Sequence, residues 1–231
     1  MMRLIILIFI CVIFLYKTIL QNFSNIPKSH ISDEVYRKLE LTLYRKNIHM
    51  NGKIFELKLC ETCYIWKPFR TSHCSLCDHC ILLFDHHCPW IKICIGLGNY
   101  RFFILFTNSF LWCILHCIYL CSKKTFRNKI INSKKMGVNK TLLLFFMIIF
   151  VFVIFKAVFV FLLICFHFYL NFQGLTASEL FKFTIKPFWI KNFRNNLFVR
   201  FKIVEKPDLL RKNYHKKTYI IKPNKKIFNL F

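Results

Sequence analysis

The chain has 231 residues, a hydrophobic fraction of 56%, a mean hydropathy of +0.42 and a formal net charge of +25. This composition excludes a single soluble globule, because so much apolar surface needs lipid to face. The charge does not make a nucleic-acid binder either. It flanks apolar spans without forming a basic domain of its own, which suits an anionic leaflet better.

Five Gly and six Pro mark no flexible linker, and no internal repeat is visible. Residues 1–21 form a transmembrane anchor around the apolar run Leu4–Leu20, preceded by Arg3 and interrupted by Lys17 and Thr18. No small-x-small cleavage site follows the run, so a retained anchor is favoured over a signal peptide. Residues 22–59 are a cytosolic linker.

Residues 60–101 hold most of the chemistry. The pattern from Cys60 to Phe103 is C-x2-C-x9-H-C-x2-C-x2-C-x4-D-H-H-C-P-W-x3-C-x4-N-x3-F, with seven of the twelve cysteines of the chain. Seven is odd, and C-x2-C spacing with interspersed histidines asks for zinc rather than disulfides. Reduced thiolates belong in the cytosol. Each structural zinc takes four ligands, so six cysteines and two histidines close two sites and one cysteine is left over. Cys88 is the candidate, because His86 precedes it by two residues and Asp85 adjoins that histidine; the plainer reading of the spacing is that Cys88 is one more ligand in an inert zinc fold. A neighbouring imidazole raises the thiolate fraction, and a carboxylate on its other nitrogen fixes the tautomer. In an extended stretch 86 and 88 share a face and 85 does not, so a turn is required for all three to converge.

Residues 102–121 form a second span, uncharged from Phe102 to Cys121. A basic loop, 122–140, carries seven Lys and Arg. Residues 141–170 form the third span, whose run Leu142–Leu170 holds Lys156 at its midpoint. An ionisable residue at that depth is either functional or a lysine snorkelling along a tilted helix. Residues 171–231 are a basic cytosolic tail. Eleven Lys and Arg lie between the first two spans and 14 beyond Leu170, which places both regions in the cytosol, although the basic loop opposes that orientation. The expected fold is an α-helical multi-pass membrane protein. About three transmembrane helices carry a small two-zinc module of short hairpins between the first and second.

At Cys60–Phe103 the chain resembles the DHHC-type protein S-acyltransferases, or palmitoyltransferases. The resemblance implies a first zinc on Cys60, Cys63, His73 and Cys80, and a second on Cys74, Cys77, His87 and Cys94. It implies Cys88 as the acylated nucleophile, His86 as its base and Asp85 as orienter. It also implies a fatty acyl-CoA donor whose chain is bordered by Trp90, Phe103 and Phe106. The acceptors would be cytosolic cysteines of membrane-associated proteins, and the location an endomembrane, Golgi or endoplasmic reticulum. No nucleic-acid partner is expected. Lys67, Arg70, Lys92 and Arg101 are candidates for the CoA phosphates, with a solvated basic face as the simpler reading.

Thr176-Ala177-Ser178-Glu179 resembles the family motif T-T-x-E with Ala177 in place of the second threonine. In the family that threonine helps hold the aspartate, so Ala177 puts the positioning of Asp85 in question, with Ser178 as a substitute from a shifted position. Phe188, Asn195 and Val199 resemble a C-terminal aromatic-Asn motif, with Lys191 and Arg200 departing from it. The family usually places two helices before the module, and one is visible here. The chain is therefore a late-starting or shortened member, or one completed by an accessory subunit. A catalytically silent, zinc-stabilised membrane adaptor is the alternative function.

Overall fold

The computed structural model describes residues 2–21, 24–26, 28, 45–50, 53–68, 70–123 and 140–182. Three described helices are long and apolar enough to cross a membrane: α1 (Met2–Leu20), α2 (Tyr100–Ser122) and α3 (Lys140–Gln173). None contains Gly or Pro, so nothing interrupts their backbone ladders. Two compact units result, one of membrane helices and one of cysteine-rich hairpins with the chain that follows α3.

In the helical unit, Ile114 of α2 packs with Ala157 and Val160 of α3. Thr18 is fully buried and donates to the carbonyl of Phe14 at 2.7 Å, which satisfies its hydroxyl inside apolar surroundings. Phe103 and His167 meet edge to face with ring centroids 5.2 Å apart. Lys156 is half-buried, with its ammonium 5.1 Å from the centre of the Phe152 ring.

The second unit begins with β1 (Asn25–Ile26), β2 (Arg45–Met50) and β3 (Lys53–Cys60), followed by β4 (Ile65–Trp66). Then come β5 (Ser72–Cys74), β6 (His79–Ile81), β7 (His86–Cys88) and β8 (Ile93–Ile95). β2 pairs with β3, and β3 with β4. β1 adds to the outer side of β6, so the sheet order there is β1-β6-β5. Its core is small: Ile26, Ile65, Leu82, Leu83 and Leu97 pack with Cys60, Cys63 and Cys80. A core this thin needs a further staple, and metal is the usual one.

The three hairpins β3–β4, β5–β6 and β7–β8 share one register at a spacing of 14 residues. Cys60 faces Ile65, Cys74 faces His79 and Cys88 faces Ile93. The residue four beyond each of those cysteines has positive φ: Tyr64 at 54°, Asp78 at 53° and Lys92 at 54°. An internal repeat is therefore present, contrary to expectation. The ligands recur with it, Cys60 with Cys74, Cys63 with Cys77, His73 with His87 and Cys80 with Cys94, while most residues between them differ.

α3 ends at Gln173 in a Schellman motif. Gly174, at φ 68°, donates to the carbonyl of Asn171, and Leu175 donates to that of Leu170. A two-residue step then leads into α4 (Ala177–Lys182). The segment expected as basic tail thus opens with ordered structure, and Phe188, Asn195 and Val199 lie outside the described residues.

Candidate active site and metal centres

Two groups of four side chains converge in the hairpin unit. Cys60, Cys63, His73 and Cys80 form one, and Cys74, Cys77, His87 and Cys94 the other, with ligand atoms in each all within 4.8 Å of one another. In the first, His73 Nδ1 lies 3.6, 3.3 and 3.9 Å from the sulfurs of Cys60, Cys63 and Cys80. In the second, His87 Nδ1 lies 3.7, 3.4 and 3.6 Å from those of Cys74, Cys77 and Cys94. A tetrahedral zinc at ~2.3 Å from sulfur and ~2.0 Å from nitrogen separates such atoms by about 3.5 Å. The donor sets suit zinc on chemistry as well. Burial and the neighbouring thiols push Cys80 and Cys94 far above the ordinary thiol range. Three ionised sulfurs at that spacing require a cation between them.

The hairpins dictate this arrangement. Each C-x2-C pair lies at a hairpin turn, and its left-handed residue brings the second sulfur back toward the first. The other two ligands of each cluster come from the next hairpin, where His73 faces Cys80 and His87 faces Cys94 across paired strands.

Cys88 belongs to neither cluster. It is 6% exposed, at the end of β7. Burial alone would raise its pKa. The hydrogen bond from His86 and the amides of Ile91 and Trp90 outweigh that and hold the thiol below its ordinary value. Burial would likewise lower His86, but its hydrogen bonds to Asp85 and Cys88 lift it to about 9. The pair therefore favours thiolate and imidazolium together. His86 Nδ1 lies 2.9 Å from Asp85 Oδ2, so one carboxylate oxygen fixes the ring.

Asp85 is 1% exposed and is held from the far end of the chain. Its Oδ1 accepts from the main-chain amide of Ala177 at 3.2 Å, and its carbonyl accepts from the amide of Ser178 at 2.9 Å. Both contacts use backbone, so they do not require a hydroxyl at position 177 or 178. The T-x-x-E stretch is itself a capping box. Glu179 N donates to Thr176 Oγ1 at 3.2 Å, and Thr176 N donates to Glu179 Oε2 at 2.9 Å.

Arg70 completes this support, and sequence reasoning misread it. Its Nε donates to Glu179 Oε1 at 2.6 Å and its Nη2 to Glu179 Oε2 at 2.7 Å. Nη2 also donates to the carbonyl of Gly174 at 2.9 Å. With its side chain 3% exposed, Arg70 is committed to the α3–α4 connection and not available to a phosphate. Arg101 is partly engaged too, donating to Gln21 Oε1 at 3.3 Å, while Lys67 and Lys92 keep accessible side chains. The signal for Arg70 was the T-x-x-E carboxylate, which needs a cation once buried.

Trp90 lies on the β7–β8 turn and is 72% exposed. Phe103 is buried on α2 beside His167, and Phe106 stacks on Phe110 with centroids 5.9 Å apart. His167 was overlooked in the sequence, though a histidine in an otherwise apolar span is a visible signal. Asn99 is fully buried, accepting from Gly96 N at 2.9 Å and donating to Cys94 O at 3.0 Å. It thereby fixes the exit of β8. Among the described residues outside the clusters, His79 is half-buried with Nδ1 2.6 Å from Cys77 O.

A family model described as DHHC palmitoyltransferase matches residues 53–184. Probable protein S-acyltransferase 6 of Arabidopsis thaliana is 37% identical over 144 residues, 60% of this chain and 34% of that protein. Palmitoyltransferase ZDHHC8 of Drosophila melanogaster is 46% identical over 96 residues, 42% of this chain and 10% of that protein. Palmitoyltransferase ZDHHC9 of Danio rerio is 56% identical over 64 residues, 28% of this chain and 17% of that protein. The matched stretch thus covers about a third or less of each of these relatives.

Proposed function

As the chain belongs to the DHHC palmitoyltransferase family, we propose that it moves a fatty acyl group from acyl-CoA to a cysteine of a membrane-associated protein through an acyl-enzyme on Cys88. The observation that carries this reading is the Asp85–His86–Cys88 set, with a thiol held low and an imidazole held high.

In the first step the Cys88 thiolate attacks the thioester carbonyl carbon, the bond from carbon to CoA sulfur breaks, and CoA departs with the proton of the His86 imidazolium. In the second, an acceptor cysteine gives its proton to neutral His86, attacks the enzyme thioester and releases Cys88 as thiolate. Asp85 does not exchange a proton. It orients the ring and stabilises the imidazolium. Two zinc ions, one on Cys60, Cys63, His73 and Cys80 and one on Cys74, Cys77, His87 and Cys94, would supply structure only, fixing the hairpins from which the nucleophile projects.

Each buried methylene of the donor contributes about 0.8 kcal/mol, so a long acyl chain is anchored by lipid-like surroundings. Phe103 and Phe106, at the start of α2, are the side chains proposed to border that chain, with Trp90 beside the nucleophile. The hairpin unit faces the cytosol in this proposal, because reduced thiolates and acyl-CoA are both found there.

The test is acylation of the purified protein by a clickable palmitoyl-CoA analogue, comparing wild type with Cys88→Ser. A label released by neutral hydroxylamine and absent from Cys88→Ser is expected. No label on folded, zinc-loaded wild type would overturn the autonomous enzyme and leave a silent adaptor or a partner-dependent subunit.

A further inference from the structure

Cys88 occupies a place that two other cysteines share. The register β3–β4, β5–β6, β7–β8 puts Cys60, Cys74 and Cys88 at the same point of three hairpins. In each, the residue four positions on is left-handed with φ near 54° (Tyr64, Asp78 and Lys92), although none of the three is glycine. In the first two hairpins the residue just before it is a cysteine, Cys63 or Cys77. In the third it is Ile91.

The similarity extends to the amides. Main-chain N–H groups of Thr62 and Cys63 bond the sulfur of Cys60, and those of Trp90 and Ile91 bond the sulfur of Cys88. Such a turn cradles a metal-bound thiolate with backbone donors. The third hairpin keeps the cradle and loses the ligands. Moving the cluster positions on by 14 residues puts the two remaining ligands at Arg101 and Asn108, neither of which suits zinc.

We infer that the β7–β8 hairpin is a vacated third zinc knuckle, and that Ile91 is the positioning residue that keeps Cys88 free of metal. This rests on Cys88 being the nucleophile proposed above. A second thiolate at position 91 would complete a C-x2-C pair with His86 already in hydrogen-bonding reach of Cys88. Two sulfurs and one imidazole, with water as fourth ligand, are a sufficient zinc set. An aliphatic side chain offers no lone pair to a metal. Ile91 is half-buried, so a smaller residue there leaves the rest of the hairpin in place.

The test uses the full-length protein carrying its resident zinc, under a phosphine reductant, with Ile91→Cys, Ile91→Ser and the double variant Ile91→Cys/Cys88→Ser. Bound zinc is counted per chain, and acyl labelling is compared with and without added zinc within each variant. Ile91→Cys should bind one ion more than wild type. It should lose its labelling when zinc is added and regain it with a mild chelator that leaves the resident ions. Ile91→Ser should gain no ion and show no zinc sensitivity, and the double variant should gain none. Zinc-insensitive labelling of Ile91→Cys at the wild-type metal count would overturn the inference, and so would equal zinc sensitivity in wild type. Should Ile91→Cys fold poorly, Ile91→His supplies the same second ligand without a thiol. Failure of the acyl-enzyme proposal would read differently, because wild type would then remain unlabelled whatever the metal count.

Discussion

The carboxylate of Asp85 and the main-chain amide of Ala177 lie 92 residues apart in sequence and 3.2 Å apart in space. Ala177 is the first residue of α4, a position where proline is well tolerated because its N–H is not needed by the helix. Ala177→Pro therefore deletes one donor to Asp85 while leaving α4 in place. A hydrogen bond to a charged group is worth about 1.5–3 kcal/mol, so self-acylation should slow by roughly tenfold to a hundredfold. Ala177→Thr keeps the amide and should acylate close to the wild-type rate. Single-turnover labelling of both variants decides whether backbone or hydroxyl matters.

Arg70 and Glu179 form a bidentate pair with both side chains at least nine-tenths buried. Removing one partner strands the other charge, which costs about 3–5 kcal/mol. Arg70→Gln should lower the melting temperature and accelerate zinc release. Arg70→Lys should rescue poorly, since an ammonium cannot make the paired fork. Melting curves followed by a zinc indicator would show this, and a fully stable Arg70→Gln would refute it.

The Cys88–His86 pair predicts a pH profile. A thiol pKa held below its ordinary value means thiolate persists at a lower pH than for a free cysteine. His86 stays protonated up to about pH 9. Alkylation of Cys88 by iodoacetamide should therefore already be fast at neutral pH. In His86→Gln the imidazolium is gone and only the amides of Ile91 and Trp90 oppose burial, so the acid limb moves upward. Unchanged profiles would show that His86 does not activate the thiol.

Gly96 leaves no room for a side chain. A Cβ there would lie 2.8 Å from both Ile81 Cγ2 and the Leu82 carbonyl oxygen. Backbone cannot yield as a flexible side-chain tip can, so Gly96→Ala should destabilise the hairpin unit by about 1–3 kcal/mol. Limited proteolysis of the zinc-loaded protein would report it as faster cleavage.

The apolar runs and the ligand spacing were legible because both are local: length and hydropathy mark a span, and C-x2-C marks a knuckle. The convergence of Asp85 with His86 was legible only in part, since alternation along an extended strand would separate them. What the sequence hid was non-local. Arg70 read as a free basic residue because its carboxylate partner lies 109 positions away. The hairpin repeat is marked in the sequence by its ligands alone, at a spacing of 14, and it stops at Ile91, Arg101 and Asn108; φ and strand register carry it on into the third hairpin.

The ligand order has a mechanical corollary. The first cluster joins β3–β4 to β5–β6, and the second joins β5–β6 to β7–β8. The middle hairpin is thus a link in a two-clasp chain, and only the outer clasp grips the strand that ends in Cys88. Opening the Cys74–Cys94 clasp by oxidant or chelator would loosen the hairpin that carries Cys88 and His86 from the Ala177 and Ser178 amides that hold Asp85, with the other clasp still shut. Such damage would silence the thiol well before the chain unravels.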